Sequence, residues 1–62
     1  MQIQNNGNQS ITIRRFDTQT NITIDVDEIV DVDEDTANYL ISMNNSYDED
    51  DGTTIIINFE LI

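Results

Sequence analysis

The chain has no cysteine, histidine, proline, tryptophan or lysine, and only two glycines in 62 residues. Each absence removes a class of chemistry. Without cysteine there is no disulfide staple, no thiolate nucleophile and no zinc-thiolate site. Without histidine, acid–base work falls to carboxylates alone. The only cations are Arg14 and Arg15. Neighbours on a strand point to opposite faces, so these two make no basic patch. Each is expected to pair with a nearby carboxylate, and direct nucleic-acid binding is disfavoured. The composition is rich in Asn and Ile, as AT-rich coding would give, and such coding also favours Lys. The missing Lys therefore reads as avoidance of positive charge. No apolar run approaches the roughly 20 residues of a membrane span. Met1–Asn8 is polar and does not resemble a signal peptide. These features point to a cytoplasmic protein.

What the chain has is acid. Its formal net charge is −11, and eleven of its thirteen acidic residues lie in Asp25–Asp51. Charge of one sign keeps a small body soluble but opposes its compaction. A chain of this length makes one domain, Met1–Ile62, whose core supplies only roughly 3–5 kcal/mol. Wholesale disorder is disfavoured, because the apolar residues fall in regular patterns.

Taken in order, Met1–Phe16 reads as a hairpin around Asn6-Gly7. Pairing Ile3 with Ile11 and Met1 with Ile13 keeps the apolar faces together, with Gly7 taking the positive φ of a bulge. Ile22, Ile24 and Val26 alternate as a third strand, with Ile13 opposite Ile24 and Ile11 opposite Val26. Phe16 falls on the opposite face, where it either closes the sheet or is exposed. A bend near Asp27-Glu28 leads to a short extended Ile29–Val32. Asp33 or Asp31 then caps a helix over roughly Glu34–Asn44. Ala37, Leu40 and Ile41 form its apolar stripe, widened by Thr36 and Met43. Asn45–Gly52 reads as a polar loop. Thr53–Leu61 reads as one continuous strand, with Ile55, Ile57, Phe59 and Leu61 on one face and a central place in the sheet. The fold class is α+β. A small antiparallel sheet of three to four strands carries one helix on one face, in the order β-β-β-α-β.

No motif brings a cofactor or metal, and no catalytic residue is assigned. From Asp31, an EF-hand reading fails at Thr36 and Ser42. From Asp48, it fails because Gly52 comes one place early and Glu60 one place late. Paired carboxylates for glycoside hydrolysis need a cleft, and so small a domain has little room for one. The chain is expected not to be an enzyme. Tyr39 and Tyr47 flank the acidic segment, either as half-buried packing or as interface anchors. The candidate partner-binding residues are Asp25, Asp27, Glu28, Asp31, Asp33, Glu34, Asp35, Asp48, Glu49, Asp50 and Asp51. In an extended segment, i and i+2 side chains share a face about 6.5–7 Å apart. Neighbouring phosphates on one DNA strand have comparable spacing. Asp25-x-Asp27 and Asp31-x-Asp33-x-Asp35 follow that step, and Asp48–Asp51 supplies a second row. The plainer reading of the same residues is a solvated acidic face.

Two resemblances follow. Glu28–Ile41, with Val30 and Val32 before Ala37, Leu40 and Ile41, resembles a strand–turn–helix unit of small phage proteins. In size, acidity and lack of cysteine and enzyme motifs, the whole chain is similar to phage-encoded anti-CRISPR proteins that mimic DNA. Phage inhibitors of restriction enzymes and of uracil-DNA glycosylase share that profile. The resemblance implies a stoichiometric inhibitor that fills the DNA-binding channel of a basic protein, with a Cas protein or complex as first choice. The alternative is a small phage structural or assembly protein docked on a basic neighbour.

Overall fold

One strand has partners on both of its edges. It is β1, Gln2–Asn5, and the computed structural model, which describes all 62 residues, builds the sheet around it. It pairs antiparallel with β4 (Ile29–Asp31) through Ile3↔Val30 and with β7 (Phe59–Leu61) through Ile3↔Leu61 and Asn5↔Phe59. The expected hairpin of Met1–Phe16 does not form, nor does the pairing of Ile3 with Ile11 and Met1 with Ile13. The reason lies at Asn6–Asn8, where the chain continues straight past the end of β1 instead of turning. Asn6 donates its backbone N–H to the Asn58 carbonyl (2.7 Å) and Asn8 to that of Ile56 (2.9 Å). The Asn8 side chain extends this ladder by accepting from Ile56 N–H and donating to the Thr54 carbonyl. Gly7 is buried against the Ile56 backbone, and its φ is not positive. Its lack of a side chain serves close approach rather than a bulge.

The hairpin that does form is β2 (Ile11–Arg14) with β3 (Asn21–Ile24). Its register is Ile11↔Ile24 and Ile13↔Ile22, two residues from the expected one. A slip of two keeps every side chain on its face. The turn sets the register. Arg15 N–H bonds the Thr20 carbonyl, Gln19 N–H bonds that of Arg15, and Gln19 has φ 58°. Val26 is thereby left beyond the strand, exposed.

Helix α1 spans Glu34–Ser42, with Asp33 as its N-cap. Thr36, Ala37 and Leu40 are its buried residues, with Ile41 and Met43 packed at the margin. Beyond it, Asn45–Gly52 is not all loop. Asn45–Asp48 forms β5, paired with β6 (Thr54–Ile57). Every residue of β5 is exposed, so no apolar alternation marks it in the sequence. The single strand expected over Thr53–Leu61 breaks at Asn58. Its second half, β7, lies at an edge of the three-stranded sheet, whose order is β4-β1-β7. At the break, the Asn44 side chain accepts from Phe59 N–H (2.7 Å) and donates to the Phe59 carbonyl (3.1 Å), taking the place of a neighbouring strand.

The observed order is thus β-β-β-β-α-β-β-β, an α+β fold of one helix and small antiparallel sheets. The core is Ile3, Ile13, Ile24, Val32, Ala37, Leu40 and Phe59. Two buried polar groups stitch it together. The Asn5 amide donates to the Gln9 and Ile24 carbonyls while its oxygen accepts from Gly7 N–H, so β1, β3 and the crossing at Gly7 share one side chain. Thr36 Oγ1 accepts from Phe16 N–H and donates to Asp33, tying the β2–β3 turn to the start of the helix. The opposite sheet face, with Gln2, Ile29, Asp31 and Glu60, is exposed. No helix is long and apolar enough to cross a membrane.

Candidate acidic interface

The eleven carboxylates fall at three stations. The first is the turn between β3 and β4, with Asp25, Asp27 and Glu28. It is closed by a bond from Glu28 N–H to the Asp25 carbonyl and by Asp27 at φ 70°. Glu28 accepts from Asp25 N–H, and Asp25 accepts from Ser10 Oγ. The second station is the end of β4 and the first turn of α1, with Asp31, Asp33, Glu34 and Asp35. Asp31 is paired with the Met1 amine at 3.0 Å. Asp33 accepts from both Thr36 N–H and Thr36 Oγ1. The third is the tip of the β5–β6 hairpin, with Asp48, Glu49, Asp50 and Asp51. Asp48 accepts from Thr54 Oγ1, and Asp51 from Thr53 N–H. That N–H bond holds the Asp51 carboxyl below the usual carboxylate range.

The even extended spacing expected along Asp25–Asp27 and Asp31–Asp33–Asp35 is broken. Asp27 sits in a left-handed turn and Asp35 inside a helix. Only Asp31 and Asp33 keep the strand step, Asp33 having φ −64° and ψ 159°. The charges are instead distributed along the length of the molecule. β1 and its extension run from the Asp31 end, past Asp27 beside Asn5, to Asn8 beside Thr54–Ile56. The β5–β6 hairpin then carries the chain out to Asp48–Asp51. These strand steps add up to roughly 30 Å, most of the 37 Å long dimension.

The hydrogen bonds divide the eleven by task. Asp25, Glu28, Asp31, Asp33, Asp48 and Asp51 each hold a local element in place. The side chains of Asp27, Glu34, Asp35, Glu49 and Asp50 have no partner within the chain, and all five are exposed. Of the two expected caps, Asp33 and Asp31, Asp33 is the one that caps the helix.

Of the two arginines, only Arg15 finds the expected carboxylate partner. Arg15 forks onto Asp17 through Nε (3.0 Å) and Nη2 (2.9 Å) and reaches the Asp31 carbonyl. That hydrogen-bonded pair draws the Asp17 carboxyl down to about 2 and raises the guanidinium above its ordinary value. Arg14 does not pair with a carboxylate as expected: its Nε bonds the Gln19 carbonyl at the β2–β3 turn, and the residue is exposed. No three carboxylates converge on a point where they would share a metal ion. The surface has no pocket.

Phe16, Tyr39 and Tyr47 each take the exposed one of the alternatives their positions allow, but the contact of Phe16 with Tyr39 has no signal in the sequence. Phe16 and Tyr39 lie side by side with ring centroids 5.6 Å apart and planes at 41°. Both are exposed, as is Tyr47 on β5, and Phe59 alone of the four aromatics is in the core. Tyr39 lies off the buried stripe of Thr36, Ala37 and Leu40. Its meeting with Phe16 depends on the Phe16–Thr36 bond, for which the sequence carries no signal. No family model, curated protein or solved structure matches the chain.

Proposed function

We propose that this protein is a stoichiometric inhibitor, phage-encoded, which occupies the DNA-binding surface of a basic protein in place of DNA. A CRISPR–Cas complex or nuclease is the first-choice target. The observation that carries the reading is the run of three carboxylate stations over roughly 30 Å on a body only 22 × 17 Å across. Duplex DNA of that length carries about nine phosphates on each strand. Eleven carboxylates along one narrow body are of that order. A partner built to hold phosphates with Lys and Arg would meet about the charge per unit length of one DNA strand here, without regular phosphate geometry. Long-range complementarity of this kind acts largely on the rate of encounter.

The test is displacement. Labelled duplex is bound to a CRISPR effector, a restriction endonuclease or a uracil-DNA glycosylase, and this protein is titrated in. The proposal expects saturating release of the duplex from at least one of them at a fixed molar ratio, weakening as salt rises. If all three keep their DNA, the inhibitor reading fails for the targets that its profile suggests. Binding to a phage capsid or tail protein that DNA does not compete would support docking in an assembly instead.

A further inference from the structure

Three of the four aromatic rings lie outside the core of a chain that has few apolar groups to spare. Two of them, Phe16 and Tyr39, touch each other. Single exposed rings are ordinary, whereas two rings in contact offer one continuous aromatic surface for a partner group to cover. Asp35 is one helical turn before Tyr39 on the same face of α1, the spacing at which side chains meet. Neither Asp35 nor the Tyr39 hydroxyl has a partner within the chain. Arg15, next to Phe16, is held by Asp17, and Arg14 bonds the Gln19 carbonyl, so neither arginine is bonded to Asp35 or to the Tyr39 hydroxyl.

We infer that Phe16, Tyr39 and Asp35 form a seat for an arginine side chain of the basic partner, which makes this spot the anchor of the acidic interface. The inference rests on the proposed function for the basic character of the partner. A guanidinium stacks on an aromatic face within about 6 Å of the ring centre. It also forks onto a carboxylate in the same plane, which an ammonium does not do. The seat therefore selects Arg over Lys. The helix N-terminus opposes a cation with roughly half a positive charge. Three carboxylates in and before the first turn, Asp33, Glu34 and Asp35, outweigh it.

The full chain is titrated with two peptides of equal length, one carrying five arginines and one five lysines, and followed by aromatic and amide NMR. The arginine peptide is expected to bind about two- to five-fold more tightly and to shift the Phe16 and Tyr39 ring signals. Tyr39→Leu and, independently, Asp35→Asn should remove that preference and leave the lysine peptide's affinity close to wild type apart from the lost charge. Tyr47→Leu should leave the preference intact. Equal affinity for the two peptides, or arginine binding with unmoved rings, would overturn the anchor while leaving the acidic interface standing. Failure of both peptides to bind would remove the anchor and the basic-partner reading together.

Discussion

At Gly7 a hydrogen in place of a methyl group decides whether two chain segments can lie together. A Cβ there would stand 2.2 Å from the Ile56 carbonyl oxygen and 3.0 Å from Asn58 N, both backbone atoms of the ladder that carries β6 into β7. Gly52 has φ 89° and open space around it. Gly7→Ala should therefore cost about 1–3 kcal/mol by forced displacement of backbone. Gly52→Ala should cost about 1 kcal/mol by conformational strain alone. For a domain of this size each kcal/mol moves Tm by roughly 4–8 °C. Thermal melts of the two variants check the order: Gly7→Ala is expected to lose more, and to lose the dispersed amide signals of a unique core. Equal melts would mean that the crossing of Asn6–Asn8 over β6 is not tight. Asn5 acts at the same scale. It is a buried amide with all three of its hydrogen bonds made to backbone, and no apolar side chain of its size would replace them.

Among the elements, the β5–β6 hairpin stands apart. All of β5 is exposed, and an isolated two-stranded hairpin is marginal in water. Its base is held by Asn8 against Thr54 and Ile56, and by Asn44 against Phe59. Its outer pairs, Tyr47↔Ile55 and Asp48↔Thr54, have only each other. Amide exchange should therefore run by local opening at Asp48–Thr54 and by global unfolding at Ile3, Ile24 and Phe59. Equal protection across both groups would show that the hairpin is part of the cooperative core. The elements also separate what a sequence can display from what it cannot. The helix was legible because its cap at Asp33 and its stripe of Thr36, Ala37 and Leu40 are local signals. The β2–β3 strands were legible from alternation, although their register waited on the turn at Gln19. β1 was misread because Asn6-Gly7 looks like a turn, whereas its real partners are more than twenty residues away and are chosen by burial of Ile3 and Asn5. β5 was misread because an exposed polar strand carries no periodic signal. The acidic residues were visible at once, but not their division into caps and free carboxylates.

For the molecule as a whole, a net charge of −11 with only two arginines, of which Arg15 alone pairs with a carboxylate, leaves the carboxylates to repel one another. Exposed charges interact strongly only within a Debye length of about 10 Å at 0.1 M salt. The clusters at Asp33–Asp35 and Asp48–Asp51 fall inside that range. Tm should therefore rise with added sodium chloride, and a flat or falling Tm would show that the charges are too dispersed to matter. The same distribution fixes how binding is to be tested. Reversing Asp31, Asp33 and Asp35 together would remove the helix cap and the Met1 contact as well as charge. The side chains of Asp27, Glu49 and Asp50 make no bond within the chain, and Asn tolerates the left-handed φ of Asp27, so Asp27→Asn with reversal of Glu49 and Asp50 to Lys separates binding from folding. The decisive measurement is release of labelled duplex from a CRISPR effector, titrated with the wild type and with the Asp27→Asn, Glu49→Lys, Asp50→Lys variant over a range of salt. The account predicts stoichiometric, salt-sensitive release by the wild type and none by a variant whose amide spectrum remains folded. Undiminished, salt-independent release by that folded variant would contradict it.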